Sequence, residues 1–89
     1  MELNLENTRA EISRINDEML KLFIKRMQLS RDVARYKIAN GLPTYDAKRE
    51  QAILDKVKEN SPREFAPYTE KFFRAVMDLS KDYQNELRK

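Results

Sequence analysis

The sequence predicts an all-α fold, one long helix and two shorter ones, in a single domain over residues 1–89. Three observations carry this. The chain has one Gly and three Pro, and 37% of it is charged; that composition favours helices over strands. Between Leu5 and Ile38 there is neither Gly nor Pro. Wherever the chain is uninterrupted, apolar residues recur at helical spacing.

The first helix is expected from about Leu5 to Ala39. Its apolar arc is Ile12, Ile15, Met19, Leu22, Phe23, Met27, Val33 and Ala34, while residues such as Glu11, Arg14, Asp17, Glu18 and Lys21 take the solvated side. Asn40-Gly41-Leu42-Pro43 ends it, because Asn or Gly takes the left-handed cap and Pro forbids continuation. Thr44 then offers an N-cap for a second helix over Tyr45–Glu59, with Ile53, Leu54 and Val57 as its stripe. Asn60-Ser61-Pro62 breaks that helix. Ser61 is placed to cap the third helix, with Pro62 at its first position and Glu64 completing a capping box. The third helix reaches about Leu87, with Pro67 a point of restart after a short first turn. Phe65, Tyr68, Phe72, Val76, Leu79 and Tyr83 form its main stripe.

Length adds a second expectation. A helix of about 35 residues is roughly 52 Å long, whereas a compact globule of this size is roughly 25–30 Å across. The first helix must outrun any single-chain core, yet its apolar arc continues to the end. A homodimer in which two long helices pack together covers that arc. The alternative, a monomeric three-helix bundle, needs a kink, and no kink signal lies between Arg9 and Ile38.

Several charged residues sit on the wrong faces. Arg26 and Lys37 project from the middle of the first helix's apolar arc, with Arg9 at its edge. Asp46 and Glu50 share the side of Ile53, Leu54 and Val57, with Arg49 beside them. On the third helix Phe73, Met77, Ser80 and Gln84 step by four, three and four, a ridge that begins apolar and ends polar. Long cations are rarely buried without a partner. The eight residues Arg9, Arg26, Lys37, Asp46, Arg49, Glu50, Ser80 and Gln84 hold four cations and two acids, and the surplus points to a dianionic ligand. Plainer explanations exist for each singly: Arg26–Glu50 or Lys37–Asp46 ion pairs, Asp46 favouring a helix dipole, Arg49 at the surface, Ser80 as packing.

The chain contains no Cys and no His. That removes thiolate chemistry, the usual general base and the commonest metal ligand, so hydrolysis by a triad or by zinc is disfavoured. No Gly-rich phosphate loop is present, and no carboxylate stands opposite Glu50 to make a glycosidase pair. What remains is a pocket that orients a substrate and stabilises charge. No apolar run approaches the ~20 residues of a membrane span. The opening MELNLENTRAE is acidic and lacks a hydrophobic core, unlike a signal peptide, so a cytoplasmic protein is the expectation. A net charge of +3 spread along the chain suits a small anion and argues little for nucleic acid.

TRAEISRINDEMLKLFIKR, RDVARYK, PTYDAKREQAIL and YTEKFFRAVMDLSKDYQ, in that order and spacing, resemble the all-helical class of chorismate mutase over essentially the whole chain. The resemblance implies an intertwined dimer with two equivalent sites and no cofactor or metal. It implies the Claisen rearrangement of chorismate to prephenate, a step toward phenylalanine and tyrosine. By that likeness Arg26 and, from the partner chain, Arg9 clamp carboxylates, and Lys37 reaches a carboxylate and the ether oxygen. Gln84 is the second donor to that oxygen. Glu50 and the backbone at Asp46 hold the ring hydroxyl, and Ser80 and Arg49 are secondary contacts. Val33, Ile53 and Met77 would shape the walls. Two rivals stand beside it: an isochorismate-pyruvate lyase of the same fold, and a non-enzymatic helical interaction or nucleic-acid-binding module.

Overall fold

A computed structural model describes residues 4–89; the first three residues of the MELNLENTRAE segment lie outside them. Among the described residues there are three helices and no strand: α1 (Leu5–Ala39), α2 (Ala47–Asn60) and α3 (Ala66–Glu86).

The ends of α1 follow from local chemistry. Asn4 caps its start, its side chain accepting from the Asn7 N–H at 3.1 Å. At the other end the Leu42 N–H donates to the Lys37 carbonyl at 2.8 Å and the Gly41 N–H to the Ile38 carbonyl at 3.3 Å. That pair of bonds is a Schellman closure. It needs a left-handed residue, and Gly41 supplies φ of 65°. A Cβ at Gly41 would meet no atom within 4 Å, so Gly41→Ala is expected to cost about 1 kcal/mol through backbone strain alone, read as a lower urea midpoint at unchanged m-value.

Two helix starts differ from expectation. The second helix begins at Ala47, not Tyr45, and its cap is Asp46 rather than Thr44: the Asp46 carboxylate accepts from the Arg49 N–H at 3.0 Å. A carboxylate there also meets the helix dipole. Thr44 is otherwise engaged, its hydroxyl accepting from Arg88 Nε at 2.7 Å and its carbonyl from Lys37 Nζ at 2.9 Å. The capping box at Ser61 and Glu64 does not form. Ser61 closes α2 instead, donating to the Val57 carbonyl at 2.6 Å and sharing a hydrogen bond with Thr69 Oγ1 at 2.7 Å. The Pro62 carbonyl takes the N–H groups of Phe65 and Ala66 in a tight turn. The helix proper then starts at Ala66, with Pro67 in the first turn, where its missing N–H costs nothing.

α3 packs against both other helices, whereas α1 and α2 do not pack directly on each other. The buried apolar set is small: Ala34, Leu54, Val76 and Met77, with no large side chain fully buried. Ser30 and Ala34 are the buried residues of α1; their small size lets α3 approach closely. Of the main apolar stripe expected on α3, Val76 is buried and Tyr83 half-buried, whereas Phe65, Tyr68, Phe72 and Leu79 are exposed in the single chain. The buried ridge is the mixed one, in which Met77, Ser80 and Gln84 are buried.

α1 runs unbroken for 35 residues. The chain measures 58 × 25 × 15 Å, with a radius of gyration of 16.6 Å, against about 12 Å for a compact domain of this length. Along the projecting half, Ile15 is 56% exposed and Leu22 65%. Among the described residues no helix is long and apolar enough to cross a membrane. The exposed ion pairs Lys21–Glu18, Arg74–Glu70 and Lys89–Glu86 mix both signs along the outer faces and contribute little stability each.

Candidate active site

A cleft of about 260 Å³ opens where the second half of α1, the start of α2 and the end of α3 converge. That is slightly below the ~300–1,000 Å³ common for small-molecule sites. α1 contributes Arg26, Ser30, Val33 and Lys37, which step by four, three and four along one face. Asp46, Arg49, Glu50 and Ile53 come from the cap and first turns of α2, and Met77, Ser80, Lys81 and Gln84 from α3. Val33, Ile53 and Met77 are the apolar walls between the polar groups.

Seven of the eight residues singled out in the sequence therefore share one cleft: Arg26, Lys37, Asp46, Arg49, Glu50, Ser80 and Gln84. Arg9 does not reach it within the chain. It is exposed on α1, roughly 25 Å along the helix axis from Arg26 at 1.5 Å per residue.

The ion pairs offered as plainer explanations do not form. Glu50 pairs with Lys81, whose Nζ lies 2.9 Å from Oε2. Asp46 spends its carboxylate on the cap of α2, as a structural role for that residue required. Lys37 donates to a backbone carbonyl, not to an acid. Among the described residues no ion pair involves Arg26, Lys37 or Arg49. Four cations and two acids line the cleft, and both acids are occupied. The surplus charge faces the solvent-filled space.

Two polar features were missed in the sequence. Lys81 sits beside Ser80 and reads as a solvated residue, although it is four residues past Met77 on the same side of α3. Its ammonium contacts Glu50 and Asp78 and lies 4.9 Å above the Tyr45 ring. Hydrogen bonding to Glu50, outweighing partial burial and helped by Asp78, raises its pKa above the ordinary 10.5. The stabilisation is thus fully present below 10.5 and fades only as pH climbs through the raised value. Ser30 lies between Arg26 and Lys37 on the same face of α1. Its hydroxyl meets that of Ser80 at 2.7 Å in a buried contact. Ser80 Oγ also accepts from Gln84 Nε2 at 3.1 Å, leaving Gln84 Oε1 buried and unpaired.

The cleft thus combines cations without an acidic partner, apolar walls and a buried carboxamide. Sequence comparison narrows the class. The chain belongs to the chorismate mutase type II family, whose sequence model matches residues 8–85. It is 36% identical over 55 residues to the chorismate mutase of Methanocaldococcus jannaschii, covering 62% of this chain and 56% of that protein. It is 40% identical over 50 residues to the T-protein of Haemophilus influenzae, covering 56% of this chain and 13% of that protein. The matched segments thus span about half of the one relative and a small part of the other.

Proposed function

We propose that this chain catalyses the rearrangement of chorismate to prephenate. The observation that supports the proposal is the set of three cations, Arg26, Lys37 and Arg49, that face one cleft and have no acidic partner among the described residues. In the reaction an ether C–O bond breaks while a C–C bond forms within the same molecule. No proton moves and no enzyme nucleophile is required, which suits a chain without His or Cys.

Arg26 holds one carboxylate of the substrate through its planar fork, and Arg49 and Ser80 steady the ring carboxylate. Glu50 and the backbone at Asp46 meet the ring hydroxyl. Fixing the enolpyruvyl arm over the ring removes conformational freedom before any bond changes. As the C–O bond lengthens, negative charge grows on the ether oxygen, and donors aimed there bind the transition state more tightly than the ground state. Lys37 is one donor. Gln84 is the other once its carboxamide is flipped: Oε1 then accepts the Ser80 hydroxyl, and Nε2 becomes the free group. The flip also gives the orphaned oxygen a partner.

The same reading includes a homodimer. The exposed apolar side chains of α1 pack against their symmetry copies, and Arg9 of each chain enters its partner's cleft as the second carboxylate clamp. Its distance from Arg26 along α1 and the length of α1 relative to the core support this arrangement.

One assay tests the proposal. Chorismate absorbance should fall as prephenate accumulates. Salicylate and pyruvate from isochorismate, with chorismate untouched, would instead identify a lyase; a strongly salt-dependent DNA mobility shift with neither turnover would identify a nucleic-acid binder.

Gln84 supplies a pH prediction. A carboxamide does not titrate, so the unaltered protein should keep its activity through neutral pH. Gln84→Glu donates only while its carboxyl is protonated, so its rate should rise toward acid and collapse at neutral pH. A flat pH–rate profile for Gln84→Glu would remove Gln84 from the ether oxygen.

A further inference from the structure

Lys81 is the one cation of the cleft that does not wait for a ligand. Its ammonium sits astride both oxygens of Glu50, 2.9 Å from Oε2 and 3.3 Å from Oε1. It reaches Asp78 at 3.3 Å and lies over the face of Tyr45 at 4.9 Å. The ammonium is thereby surrounded by two carboxylates and an aromatic ring. The contacts join three separate segments: α3 through Lys81 and Asp78, α2 through Glu50, and the α1–α2 connection through Tyr45.

We propose that Lys81 is a positioning residue for Glu50, holding its carboxylate at one point of the cleft wall so that it meets the ring hydroxyl and stays away from the anion clamps. The inference rests on the mutase reading above. Its physical basis is competition. Glu50 shares the cleft with Arg26, Lys37 and Arg49, none of which has an acidic partner among the described residues. A carboxylate released from Lys81 has a neighbouring guanidinium to turn to. The pair so formed would cost the site twice, removing the hydroxyl acceptor and neutralising a clamp that the substrate needs. Lys81 prevents both by satisfying Glu50 from the side of α3. Side chains of Lys81 and Glu50 are each only about a quarter exposed, at 25% and 23%, so the contact is screened less than a surface pair.

The test is a double-mutant cycle on the full chain with chorismate as substrate. Lys81→Met keeps the side chain's length without its charge. It is expected to lower kcat/KM about tenfold, chiefly by raising KM, with thermal midpoint and helicity close to those of the unaltered chain. Lys81→Gln should behave alike and guards against a misfolded Met variant. In a Glu50→Gln background the Lys81→Met change should have almost no further effect, because there is no carboxylate left to hold. Normal kinetics in both Lys81 variants would overturn the proposal. So would an undiminished tenfold loss in the Glu50→Gln background, which would place Lys81 in the general field of the site. Failure of the unaltered chain to turn over chorismate would sink the mutase reading itself, a result distinct from either.

Discussion

Lys37→Ala is expected to lower kcat by roughly a hundredfold or more, the loss seen when one donor is removed from a preorganised oxyanion site, about 2.7–4 kcal/mol. Lys37 is half-buried, lines the cleft and already gives one N–H to the Thr44 carbonyl at 2.9 Å. That bond fixes the ammonium, and two N–H groups remain for a ligand. The same bond also tethers the loop after α1, a structural role to be separated from a chemical one. Arg88 provides the control, because it holds that loop independently through the Thr44 hydroxyl and the Leu42 carbonyl. Loss of Lys37 should therefore leave the loop in place and the urea midpoint nearly unmoved. Steady-state kinetics beside urea unfolding separates the two roles. Unchanged turnover, or a stability loss with kcat intact, would exclude Lys37 from the chemistry.

The second large effect concerns chains rather than side chains. Arg9→Ala and Arg26→Ala should each be nearly inactive alone. Mixed in equal amounts and allowed to exchange subunits, they should recover about a quarter of the unaltered activity. In a two-fold dimer half the molecules are then mixed, and each mixed molecule has one intact site and one doubly defective site. Recovery requires Arg9 to act across the interface. If exchange is confirmed by a labelled subunit and activity stays at the level of the separate variants, Arg9 works in its own chain or not at all.

The parts of the molecule legible in the sequence are those governed by spacing. Helical periodicity located α1 at about Leu5 to Ala39, because a long run without Gly or Pro favours one continuous helix and Gly41 supplies its left-handed stop. The same periodicity put Arg26, Lys37, Glu50, Ser80 and Gln84 on inward faces. Competition between near-equivalent groups was not legible. Thr44 and Asp46 are both good caps; the Asp46 carboxylate takes the Arg49 N–H, while the Thr44 hydroxyl accepts from Arg88, distant in sequence. Ser61 could begin α3 or end α2, and its bond to the Val57 carbonyl decides for the latter. Lys81 illustrates the same limit: its neighbours along the chain mark it as solvated, and only the approach of α2 brings Glu50 to it. The main apolar stripe of α3 was legible as a stripe, but Phe65, Tyr68, Phe72 and Leu79 are exposed in the single chain, and the ridge that buries is Met77, Ser80 and Gln84.

Four small or medium side chains, Ala34, Leu54, Val76 and Met77, are a slender anchor for 35 residues of α1. On the dimeric reading, acquiring shape and finding a mate become one thermodynamic event rather than two. Resistance to heat would then be a property of how many copies share the solution, and an isolated copy would have no reason to keep its cleft assembled.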